Sequence, residues 1–142
     1  MRKLEEIRIG DVYYPIKIDL NVLEHIQETY GSIGAWEMDL KGWHYSEDED
    51  GNRLFDKKGS PVMYRTEPSI KAINTVLAAM INEGIAIQAE QQGKPYDEVP
   101  DLQIISECEI DYTELAVLIT KEFDRCFAVK KACRGKEGKQ SR

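Results

Sequence analysis

The sequence predicts an α+β fold, an N-terminal β-hairpin packed on a mostly helical body with a short β-rich or loop insertion at about 41–66. Two patterns carry this prediction. Apolar residues alternate on both sides of Gly10-Asp11, the mark of half-buried strands joined by a tight turn. Further on, apolar residues recur every three or four positions over two long stretches, the mark of amphipathic helices.

The hairpin pairs Ile7 and Ile9 with Val12, Tyr14, Ile16 and Ile18. Gly10 accepts the positive φ that two-residue turns require. Pro15 has no N–H to give a ladder, which assigns its strand to an edge at that point. A helix follows, with Asn21 as N-cap and Glu24 three residues on, a capping-box variant. Leu20, Leu23, Ile26 and Tyr30 form its apolar stripe, and Gly31 stops it. Ser32 opens a short helix through Ile33 and Trp36 to about Leu40.

Residues 41–66 change character, with Trp43, Tyr45, Leu54, Phe55 and Tyr64 set among turn-forming residues. Short strands are expected around Gly42–Tyr45, Arg53–Phe55 and Val62–Arg65, with a loop as the alternative. No internal repeat is expected. The main helices are placed at 67–92 and 112–131. Pro68 fits a first helical turn. Ile70, Ile73, Leu77, Met80, Ile81 and Ile85 supply the first core face. Gly84 within it costs about 1 kcal/mol against Ala, so it marks a close-packing point or a kink. Between the helices, residues 94–110 form a connector with one short element near Leu102–Cys108. Asp111 with Glu114 caps the second helix, whose core face is Leu115, Leu118, Ile119, Phe123, Cys126 and Phe127. Residues 1–132 are expected to form one globular domain and 133–142 a disordered basic tail.

The chain of 142 residues is long enough to bury roughly 70% of its unfolded surface without staples. Its longest apolar run, Val76–Ile81, is shorter than the roughly 20 residues a bilayer requires. The N-terminus lacks the apolar centre of a signal peptide. Cys108, Cys126 and Cys133 are odd in number and without CxxC spacing. That argues against a disulfide framework and for small buried thiols in a reducing cytoplasm. The net charge of −7 argues against nucleic-acid binding, which depends on neutralising phosphates. The charge is polarised: residues 1–120 carry a net −12 and residues 121–142 a net +5.

Chemical signatures are sparse. Placing Gly51 at the sixth position of a calcium loop puts Ser46 at the first and Lys57 at the twelfth, where Asp and bidentate Glu are needed. A solvated turn is the better reading. His25 and His44 have no second ligand at metal spacing, and no nucleophile elbow or glycine-rich phosphate loop occurs. No catalytic residue, cofactor or metal is therefore assigned. What remains is a partner surface, for which Trp36, Trp43, Lys130, Lys131 and Arg134 are the candidates. Aromatic anchors and exposed cations suit protein interfaces.

Read along residues 5–130, the chain resembles the tail assembly chaperones of long-tailed bacteriophages and prophages of Firmicutes. The resemblance lies in the hairpin Ile7–Ile18, the segment Asp19–Gly31, the block Thr66–Ile73 and the segment Lys121–Phe127. It implies a non-enzymatic protein of the bacterial host cytoplasm. Such a protein keeps the tape-measure protein soluble, helps recruit tail-tube subunits and leaves before the virion is complete. A longer frameshifted form often accompanies it. The alternatives are a structural tail subunit and an unrelated bacterial regulatory or enzymatic domain.

Overall fold

The computed structural model describes residues 3–140, with side chains described through Cys126. The fold is α+β: two small antiparallel sheets and five helices among the described residues. Strands β1 (Glu5–Ile9) and β2 (Val12–Ile16) form the N-terminal hairpin, with Ile9 opposite Val12. Its turn is Gly10-Asp11, as expected. Only Gly10 has positive φ, the pattern of a type II′ turn. Ile7, Ile9 and Ile16 enter the core while Val12 stays exposed.

Helix α1 (Leu20–Tyr30) begins two residues earlier than the sequence suggested. Its N-cap is Asp19, not Asn21: the Asp19 carboxylate accepts from the N–H groups of Asn21 and Val22 at 3.0 and 3.2 Å. A carboxylate there also suits the positive end of the helix dipole. The shift moves the buried face to Val22, Leu23 and Ile26, and leaves Leu20 exposed. Ser32 caps α2 (Ile33–Lys41) by accepting from Ala35 N.

Helix α3 (Ile70–Gln92) is the centre of the fold, packed against β2 and the other four helices. Its cap is Ser69, which accepts from Ala72 N. Pro68 therefore precedes the cap and does not sit in the first turn, and Ile70 remains exposed. By length and composition this helix could cross a membrane, which the short Val76–Ile81 run did not suggest. Here Ala72, Ile73, Val76, Leu77, Met80 and Ile81 are its buried core face.

The connector resolves into α4 (Asp101–Glu107). Asn82 pins it, with its side-chain amide exchanging two hydrogen bonds with Val99, much as a strand neighbour would. Ile104 is its fully buried anchor. Helix α5 (Tyr112–Gln140) starts at Asp111, whose carboxylate accepts from Thr113 N. Leu115, Ala116, Ile119 and Phe123 are buried, while Leu118, Cys108 and Cys126 are only half-buried. Glu122, buried on the same helix, is held by Arg125 at 2.6 Å, and Arg125 reaches Glu5 of β1 at 3.7 Å. The tail expected at 133–142 overlaps the end of α5 and lies outside the described side chains.

Candidate functional site

Between α2 and α3 the chain leaves the body. No residue from Trp43 to Glu67 is buried. Strands β3 (Trp43–Tyr45) and β4 (Met63–Arg65) pair antiparallel at its base, and bridges Glu47–Arg53 and Phe55–Pro61 continue the pairing outward. The insertion is thus a β-rich arm, with strands at the first and third expected places, while the strand expected at Arg53–Phe55 is reduced to single bridges at Arg53 and Phe55. Two backbone bonds moor it, Thr66 N to Gly42 O at 2.8 Å and Ser69 N to Asp39 O at 2.9 Å, and Arg65 Nε donates to Lys41 O at 3.1 Å.

The base of the arm is ordered by side-chain pairs across the ladder. Trp43 lies opposite Arg65, whose guanidinium sits 5.4 Å from the indole ring. His44 lies opposite Tyr64 and stacks on it at 5.2 Å, and its Nε2 is 2.7 Å from Thr66 Oγ1. Arg53 covers Tyr45 at 3.8 Å. Each is a cation–π or stacking contact that holds an aromatic ring in place without burying it.

Two grooves flank Trp43. One, of about 1120 Å³, runs between α2 and the arm, past Met38, Tyr45 and Tyr64. The other, of about 330 Å³, is bounded by Glu37, Met38, Lys41, Trp43 and Met63. Two acidic groups along them, Glu37 and Asp39, are already engaged. Glu37 pairs with Lys41 at 2.8 Å. Asp39 accepts from the Tyr30 hydroxyl. Burial, and then the Asp39 carboxylate, push Tyr30 up to about 12.

The five residues proposed from sequence separate sharply. Trp43 stands at the grooves, 37% exposed. Trp36 is corrected: it is fully buried, donating Nε1–H to Ala72 O at 2.9 Å and meeting Phe123 edge-on at 5.3 Å. Helix α2 turns it toward α3 and α5, so it is a core residue. Lys130, Lys131 and Arg134 lie outside the described side chains. Met38 and Met63, which line the smaller groove with Trp43, were missed. Single methionines in a polar context carry no periodic signal.

A second cleft, of about 460 Å³, lies between α1, α3 and the connector and includes Asn21, His25, Glu83, Tyr96, Glu98 and Asp101. His25 is exposed on α1, its Nε2 3.1 Å from Thr75 O. Glu83 Oε2 is buried without a hydrogen-bond donor, and burial followed by Asp19 raises its carboxyl above the ordinary range.

Comparison of the chain with family models, curated proteins and solved structures finds no match.

Proposed function

We propose that this chain is a non-enzymatic tail assembly chaperone acting in the bacterial cytoplasm, with the base of the arm as its docking surface for the tape-measure protein. The observation that carries the reading is Trp43, a large rigid anchor held upright by Arg65 between two open grooves. A long apolar-striped helix presents side chains at three- and four-residue steps, and such grooves accept them. Aromatic and methionine side chains suit this contact because they bring area and adaptability. The resemblance of residues 5–130 to phage tail chaperones supplies the identity of the partner. Grooves this shallow fit the modest affinity that release from the finished tail demands. Recruitment of tail-tube subunits, and steering by Lys130, Lys131 and Arg134, belong to the same reading.

Co-expression with the tape-measure protein of the same phage tests it. The wild-type chain keeps that protein soluble and co-purifies with it. Trp43→Ala loses the complex while its thermal unfolding is unchanged. A wild-type chain that leaves the tape-measure protein insoluble overturns the chaperone reading. A Trp43→Ala chain that binds normally removes the arm's base as the site.

A further inference from the structure

The outer part of the arm contains a repeat in backbone geometry. Ser46, Leu54 and Val62 are spaced eight apart and form a closed triangle of main-chain bonds. Ser46 N donates to Val62 O at 2.8 Å, Val62 N to Leu54 O at 2.9 Å and Leu54 N to Ser46 O at 2.9 Å. Two turns project from this triangle, Asp48–Asn52 and Asp56–Ser60, and they are built alike. In each the Asp carboxylate accepts two backbone N–H groups, from Asp50 and Asn52 at 2.9 Å each in the first. In the second they come from Lys58 and Ser60 at 2.9 and 3.0 Å. Gly51 and Gly59 share a φ of +84° and donate back to the carbonyls of Asp48 and Asp56.

The charges at equivalent positions are opposite. Glu49 and Asp50 in the first turn correspond to Lys57 and Lys58 in the second. All four are exposed. Leu54, Phe55 and Val62, in the stretches that link and follow the turns, are 41%, 59% and 38% exposed.

We propose that the tip of the arm docks on the tip of a second copy of this chain, acidic turn against basic turn, twice across a two-fold axis. A two-fold interface requires a surface that is its own complement. Two matched turns of opposite sign on one rigid triangle meet that requirement, with Leu54, Phe55 and Val62 enclosed between them. An external acidic or basic partner would use only one turn and be repelled by the other. The remainder of residues 1–120 is strongly acidic and repels another copy, so the near-neutral arm is where two chains can approach. The bonds from Asp48 and Asp56 fix both turns beforehand, which lowers the entropy lost on docking. The interface is small, so the dimer is a weak one in the micromolar range.

Sedimentation equilibrium of the full chain, from about 1 to 200 µM around that range, tests this without any other partner. Its result is independent of the co-expression outcome above. The wild type dimerises, and added salt weakens the dimer. Lys57→Glu with Lys58→Glu, and separately Glu49→Lys with Asp50→Lys, each raise the dissociation constant by at least about tenfold. Mixing these two variants restores association, because each contact again joins opposite charges. Thermal unfolding of both variants stays at the wild-type midpoint, since the changed residues are fully solvated. A wild type that is monomeric throughout overturns the proposal. So does a dimer that neither reversal weakens, or a mixture that fails to associate.

Discussion

The helix α3 backbone at Gly84 lies directly against the strand backbone at Pro15. A Cβ at position 84 would sit 2.2 Å from Pro15 O and 2.4 Å from its carbonyl carbon. Nearby, Lys17 N donates to Met80 O at 3.0 Å, so the chain just beyond the hairpin is hydrogen-bonded to a helix carbonyl. Gly84 is thus the close-packing point, and the helical cost of glycine is offset by this approach. Gly84→Ala gains about 1 kcal/mol of helix propensity but must push two main chains apart. The expected net loss is about 3 kcal/mol, read as a fall in the thermal midpoint of roughly 10 °C.

The two tryptophans have opposite roles, and single-tryptophan chains separate them. With Trp43→Phe, the remaining Trp36 emits at short wavelength and resists acrylamide quenching, because it is fully buried. With Trp36→Phe, the remaining Trp43 is readily quenched. Trp36→Ala leaves a cavity beside Phe123 and Ala72 and costs about 3–5 kcal/mol. Trp43→Ala changes stability by about 0.5 kcal/mol or less. Denaturant titration of the four variants checks both halves.

Much of the architecture was legible because it follows from local periodicity. The hairpin register follows from Gly10-Asp11 and the alternating isoleucines, and the two long helices from their apolar steps. What failed was choice among adjacent equivalents. Asp19 and Asn21 are both good caps, and sequence cannot tell which backbone N–H groups are left unpaired. Trp36 and Trp43 are chemically alike, and only the packing of α2 onto α3 and α5 buries one. The eight-residue repeat went unseen because its shared feature is main-chain bonding. Only Asp48 with Asp56 and Gly51 with Gly59 recur as residues, while the positions between them invert in charge. The groove beside Trp43 depends on where the arm leans against α2, which no local pattern encodes.

Tyr30 joins the end of α1 to α2 through Asp39, and the Lys71 ammonium lies 5.1 Å from its ring. Its hydroxyl is raised from 10.0 to about 12 by burial and by Asp39. The folded state therefore keeps a proton that the unfolded chain loses above pH 10. The resulting stability is fully present below pH 10 and disappears as pH rises toward 12. Tyr30→Phe is expected to be less stable at pH 7, having lost the bond to Asp39. The gap to wild type should then narrow between pH 10 and 12. Urea unfolding of both chains across that range measures it, and a constant gap contradicts the assignment.

Glu83 presents the opposite balance at neutral pH. Its Oε2 is buried without a donor, and Asp19, bound to the start of α1, is the charge beside it. Glu98 and Asp101 from the connector line the same cleft, with His25 from α1, so the surroundings are mostly acidic. Burial and Asp19 raise the Glu83 carboxyl above its ordinary 4.5, and Asn21 opposes this in smaller measure. With a raised folded value, the native state binds the proton more tightly than the unfolded chain. The stabilisation is complete below pH 4.5 and is lost as pH rises through the folded value. Above that value the ionised group is a net cost. Glu83→Gln keeps the shape, removes the charge and supplies an N–H donor toward Asp19. It should stabilise the chain by about 1 kcal/mol at pH 7 and by little at pH 4. Thermal unfolding at the two pH values decides it: a stabilisation of equal size at both would trace to packing, and a loss at pH 7 would mean that the surroundings favour the Glu83 carboxylate over its neutral form.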